Sequence, residues 1–172
     1  MESPDLDEQQ ASADAALGDV IDRTALIENI LNQVIEAYLV PRTAARQFLW
    51  DILLDSSVLP LGSKVKVAMA ISQDLNVGLD QASLHSVVSL RNAFAHHATN
   101  AHPVFKVGKA PDEDQLHYTL QVISNSGRVT RKRREEALSE FNSAYAKAKA
   151  SLIALLTAIR ASGTATTLSS HQ

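Results

Sequence analysis

Cysteine is absent from the 172 residues. That excludes a disulfide framework, a thiol nucleophile and any zinc site built on thiolates. No run of about 18 apolar residues occurs, so no membrane-spanning helix is expected. The opening residues MESPDLDEQQ are acidic and polar, the opposite of a signal peptide's basic and apolar start. A Gly-rich phosphate loop is missing, as are a G-x-S-x-G elbow and an H-E-x-x-H pair. His96, His97 and His102 come nearest to a metal-ligand cluster. Adjacent histidines on one element point apart, however, and no two histidines have the i, i+4 spacing, so neither metal nor other cofactor is expected.

The residues that are present describe a packed chain. Hydrophobic residues make up 45% and charged residues 20%, enough apolar surface for a core and too little charge for wholesale disorder. The length suits one domain, which usually takes about 100–200 residues. A soluble, cytoplasmic protein without membrane contact is the expectation.

The net charge of −3 hides an asymmetry. Residues 1–22 hold seven acidic side chains and no Lys or Arg, whereas the remainder holds 16 basic and 12 acidic ones, a balance of +4. A basic body can attract polyanions, and an acidic tail can also serve only to solubilise the chain. Residues 1–21 therefore read as an acidic, disordered arm, residues 22–161 as a helical domain, and residues 162–172, small and polar, as a disordered tail.

Periodicity organises the middle. Leu26, Ile27, Ile30, Leu31, Val34, Ile35, Tyr38 and Leu39 form a broad apolar helix face that Pro41 ends. A second helix is expected over residues 43–55, with Phe48, Leu49, Ile52 and Leu53 inward and Trp50 extending the face. Ser63 offers a cap for a third helix, and Asp80 caps a fourth that carries Leu84, Val87, Val88, Arg91 and Phe94. Residues 98–115 are polar and read as a long loop, a feature often functional in small domains. Residues 116–123 are rich in β-formers. Asn125, Ser126 and Gly127 are turn chemistry, so a small hairpin is expected with Val129 and Thr130 pairing back. In the last helix Leu138, Phe141, Tyr145, Ala148, Leu152, Leu155 and Ile159 repeat at steps of 3 and 4, a seam for an intramolecular bundle or for a dimer. The fold class is all-α: an up-and-down bundle of about five helices, with a small β-hairpin before a long C-terminal helix.

The chemistry-bearing segment is Ser89-Leu90-Arg91-Asn92-Ala93-Phe94-Ala95-His96-His97. Arg91 lies four residues after Val87 and three after Val88, so its stem shares the buried face. An arginine there needs an anionic partner or a water-filled cleft. One reading pairs it internally with Asp51, Asp55 or a helix-end carbonyl. The other leaves it open to a ligand.

Arg91, Asn92 and His96 match the R-x4–6-H form of the HEPN superfamily, in which the residue after Arg is commonly polar. The same segment, together with residues 25–40 and Pro60-Leu61-Gly62-Ser63, resembles the mannitol operon repressor family. The resemblance covers roughly residues 22–100. It implies a helical bundle, often dimeric, whose catalytic members are metal-independent endoribonucleases of toxin, antiviral or RNA-processing systems. Other members bind nucleotides or protein partners without catalysis, and the repressor-like relatives are described as transcriptional regulators.

Elementary chemistry agrees that the motif suffices. RNA supplies its own nucleophile, the 2′-OH. A histidine can move the proton near neutral pH, and an arginine can hold two phosphate oxygens with its planar fork. Asn92 can orient His96 or bind phosphate, and His97 is the rival histidine. Five residues of regular helix advance by about 7.5 Å and turn by about 140°. Arg91 and His96 therefore meet only across a two-fold axis, or if the helix ends near Ala95 and His96 folds back. A second basic feature is Arg128, Arg131, Lys132, Arg133 and Arg134 beside the hairpin, either a phosphate-binding run or a solvated face. The expected partners are a second copy of the chain, RNA, and an antitoxin or regulatory protein.

Overall fold

In the computed structural model, which describes residues 6–40, 43–97, 102–106, 115–124 and 126–169, the first apolar stripe is longer and narrower than its periodicity suggested. Helix α1 spans Leu6–Leu39, so much of the acidic segment expected as an arm is helical. The physical reason is a seam through Leu17, Val20, Thr24, Ile27, Leu31 and Val34, in steps of 3 and 4. Val20, Thr24, Ile27, Leu31 and Val34 are buried, and Leu17 packs on them. Thr24 fits because its Oγ1 donates to the Val20 carbonyl at 2.7 Å. Arg23 reinforces the docking. It bonds Asp19 at 2.8 Å and Asn142 at 3.0 Å, and lies 5.5 Å over the Tyr145 ring. Leu26, Tyr38 and Leu39, by contrast, stay exposed.

Helix α2, Thr43–Phe48, runs directly into one π-helical turn, Leu49–Leu53. The i→i+5 bond from Leu54 N to Leu49 O is 2.8 Å long. That wider turn brings two residues five apart to the same side, so Leu49 and Leu54 are the buried anchors. Phe48, Ile52 and Leu53, expected inward, are exposed, and Trp50 packs only partly on the core. Helix α3 spans Leu61–Asp74 and begins two residues before the expected cap. Pro60 holds the cap position, with no side-chain hydrogen bond. Asn76, at φ 52°, closes its far end, a left-handed geometry that Asn tolerates.

Helix α4, Gln81–His97, starts as expected at Asp80. Its carboxylate accepts from the Ser83 amide at 3.0 Å and from the Ser83 hydroxyl at 2.8 Å. The amide bond first, and then the hydroxyl bond, hold the Asp80 carboxyl below the usual carboxylate range. A folded value below the unfolded one stabilises in full above the unfolded value, about 3.9, and the stabilisation disappears as pH falls through the lowered folded value. Asp80→Ala should therefore cost about 1 kcal/mol at pH 7. Thermal melts from pH 7 to pH 3 should show the gap to wild type closing at the acid end. A gap that persists there would deny Asp80 its capping role.

Strands β1 (His102–Lys106), β2 (Gln115–Ile123) and β3 (Val129–Arg133) form one antiparallel sheet in the order β1-β2-β3. The β2–β3 hairpin is the expected one, with Ile123 opposite Val129 and Leu120 opposite Lys132. Gly127, at φ 77°, makes the turn. Asn125 lies outside the described residues. Strand β1 corrects the long-loop reading of 98–115 where that segment is described: its backbone pairs with β2 from His102↔Thr119 to Lys106↔Gln115. Leu120 and Val122 turn inward, and β2 packs on α4.

Helix α5, Arg134–Ser169, carries the expected long seam and continues into the segment expected as a tail. Phe141, Ala148, Leu152, Leu155 and Ile159 are buried against α1 and α4 within one chain. The seam is thus used inside the bundle, which removes it as an argument for a dimer. Ala137 and Ala144 are more deeply buried than Leu138 and Tyr145, because small residues at the contact let helices approach closely. Among the described residues, no helix is long and apolar enough to cross a membrane.

Candidate functional site

Arg91 sits where α4 passes the loop between the π turn and α3. Its neighbours Leu90, Ala93 and Phe94 are buried, and this fixes the helix face from which the half-buried arginine emerges. The guanidinium donates to Asn92 Oδ1 at 3.2 Å. None of the ion pairs among the described residues includes it, so Asp51 and Asp55 are not its partners. Asp55 instead accepts from the Ser57 hydroxyl and amide, and these bonds lower its pKa.

Arg91 lines a cavity of about 360 Å³. Ile21, Ala25 and Glu28 of α1 form one wall, and Ser56 and Pro60 another. Beneath it lies a polar cluster that the sequence reading missed. Lys64, on α3, is only 1% exposed, and its Nζ donates to Glu28 Oε1 at 2.5 Å and to the Leu54 carbonyl at 2.5 Å. Ser56 Oγ donates to the same Glu28 oxygen at 2.5 Å. Glu28 is 22% exposed and is held from two sides at the cavity wall. Four elements thus converge on one concave spot with a cationic and an anionic group. The signal was present in outline: Lys64, Ala68 and Ile71 share one helical stripe, and a lysine on an apolar stripe demands a buried acceptor.

The other motif residues lie differently. Asn92 and His96 are exposed, and the cavity lining holds Arg91 but not His96. Helix α4 stays regular through His97, so His96 does not fold back towards Arg91. The side chain of His97 lies outside the described residues.

The basic run divides. Lys132 shares the inward-facing side of the sheet with Leu120 and is taken by Glu140 of α5. Arg134 is half-buried at the start of α5. Arg128, Arg131 and Arg133 are exposed, the last two on one face of β3 opposite Gln121 and Thr119. If these three hold phosphates, replacing them with Ala should weaken RNA binding and flatten its salt dependence by about 0.7 in log–log slope per lost contact. Fluorescence anisotropy across a salt series reads both. An unchanged slope would make this an ordinary solvated face.

Comparison of the chain with protein-family models, curated proteins and solved structures finds no match.

Proposed function

We propose that the chain is a HEPN-like RNA-binding or RNA-cleaving protein, a metal-independent endoribonuclease of toxin or stress-response type. One observation carries this reading: Arg91 lines a cavity, half-buried and outside every ion pair among the described residues. A guanidinium so placed is available to a phosphate, which it can hold with two parallel bonds. In cleavage the ribose 2′-oxygen attacks the phosphorus of the adjoining 3′-phosphate as His96 takes its proton. The P–O5′ bond then breaks, the 5′-oxygen leaves as a hydroxyl with a proton returned by His96, and Arg91 stabilises the charged phosphorane between the two steps. Neither role calls for a metal.

The regular course of α4 separates Arg91 from His96 on one chain, so the reading includes a homodimer in which the motif of one copy faces that of the other. Incubating purified protein with single-stranded RNA in EDTA tests the proposal. The expected products end in a 2′,3′-cyclic phosphate. Absence of cleavage by the folded dimer on varied RNAs would favour a second reading, a non-catalytic regulator of the mannitol-repressor type. What supports that reading is the set of exposed apolar side chains Phe48, Ile52, Leu53 and Val58, suited to a protein partner.

A further inference from the structure

We propose that Glu28 is a substrate-contacting residue of the Arg91 cavity, and that its Oε2 accepts a hydrogen bond from the ribose 2′-OH of bound RNA. The inference rests on the RNA reading above and goes beyond it, because it assigns the group that distinguishes ribose from deoxyribose.

Both hydrogen bonds that hold Glu28, from Lys64 and from Ser56, fall on Oε1. The carboxylate is therefore fixed in place by one oxygen, and no hydrogen bond among the described residues takes the other, while Glu28 lines the cavity. An ionised carboxylate only accepts hydrogen bonds, so its ligand must present a donor. The ion pair with the deeply buried Lys64 anchors the Glu28 carboxylate at this place. Asp55 and Lys64 also interact through space, so the cations Lys64 and Arg91 are matched in number by the carboxylates Glu28 and Asp55, and of these Arg91 and Glu28 line the cavity. Such a cleft selects a ligand that carries an anionic group and a hydrogen-bond donor close together. A ribonucleotide is built that way: the phosphate goes to Arg91 and the adjoining 2′-OH to Glu28. Ile21, Ala25 and Pro60 give the sugar an apolar surface to lie on. DNA has the phosphate without the donor.

The experiment measures binding in the full-length His96→Ala background, which blocks turnover. Three fluorescein-labelled single strands of one sequence are compared: RNA, the deoxyuridine-containing DNA, and 2′-O-methyl RNA, whose ribose oxygen accepts but cannot donate. RNA should bind about tenfold tighter than the other two, the size expected of one hydrogen bond to a charged acceptor. Glu28→Gln puts an amide donor in place of the free acceptor and should bring the ratio of RNA to 2′-O-methyl RNA close to one, because both ribose oxygens can accept from it. The double variant Glu28→Leu/Lys64→Met removes the ion pair as a unit and should do the same, which guards against a misfolded single variant. Arg91→Ala should weaken all three strands alike. Equal affinity for the three strands, or a ratio that survives both Glu28 variants, would overturn the Glu28 assignment while leaving RNA binding intact. A ratio between RNA and 2′-O-methyl RNA alone would likewise overturn it, by pointing to the bulk of the methyl group. No binding of any strand would overturn this assignment and the RNA reading together.

Discussion

His96→Ala should lower cleavage of single-stranded RNA by at least about 100-fold, the smaller end of what a general acid or base contributes, with its helical circular-dichroism signal intact. Arg91→Ala should lose a similar factor through the phosphorane. Because Arg91 has no ion pair among the described residues, its removal should leave the melting temperature close to that of wild type. His97→Ala should be milder. A 2′-deoxy nucleotide at the cut should block the reaction. The regular α4 makes the assay more discriminating. If each site takes Arg91 from one copy and His96 from the other, mixing the two inactive variants creates dimers with one intact site. About a quarter of wild-type activity should then return, since half the dimers are mixed and half their sites are whole. Activity that fails to return once the two variants have exchanged subunits would deny the shared site. Equal cleavage by wild type and His96→Ala would point to a contaminating nuclease.

The second large effect concerns folding. Glu28→Ala leaves the Lys64 ammonium, 1% exposed, with the Leu54 carbonyl as its remaining hydrogen-bond acceptor among the described residues. Breaking a buried pair from one side typically costs about 3–5 kcal/mol. Lys64→Met should be gentler, because Glu28 keeps its Ser56 bond and its access to water. The double replacement Glu28→Leu/Lys64→Met should recover most of the loss, since an apolar pair of similar volume is often no less stable than the ions. Urea unfolding read by circular dichroism gives all three values. A Glu28→Ala protein within about 1 kcal/mol of wild type would mean that Lys64 finds water by another route.

The helices that were plain in the sequence are those whose stripes are made of large aliphatic residues. Ile27, Leu31 and Val34 announce α1, and Leu152, Leu155 and Ile159 announce α5. The same stripe was invisible towards the N-terminus because Thr24 interrupts it among acidic neighbours. A hydroxyl that bonds back to Val20 is as easily buried as an apolar group, but no hydropathy pattern reports that. The π turn was equally hidden. Periodicity assumes 3.6 residues per turn, and one wider turn moved Phe48, Ile52 and Leu53 from the expected core face to the surface. At the site, the position of Arg91 on a half-buried face was legible from Val87 and Val88. Its cavity was not, because Glu28, Ser56 and Lys64 come from three other elements. Glu28 and Lys64 stand 36 positions apart, and no local spacing rule joins them.

Strand β3 lies at one edge of the sheet, and this affects the protein's colloidal behaviour whatever the strand binds. An edge offers unpaired backbone groups to the edge of another molecule, and exposed cations on it are a common barrier to such pairing. Arg128, Arg131 and Arg133 provide that barrier here, next to the exposed Val129 and Ile123. Replacing all three with alanine would leave a short, β-prone ribbon whose remaining cation, Lys132, is taken by Glu140, open to self-association. Replacing them with glutamate would keep like charges facing one another while repelling phosphate. The glutamate set therefore separates a loss of nucleic-acid contact from a loss of solubility, two outcomes that the alanine set would confound.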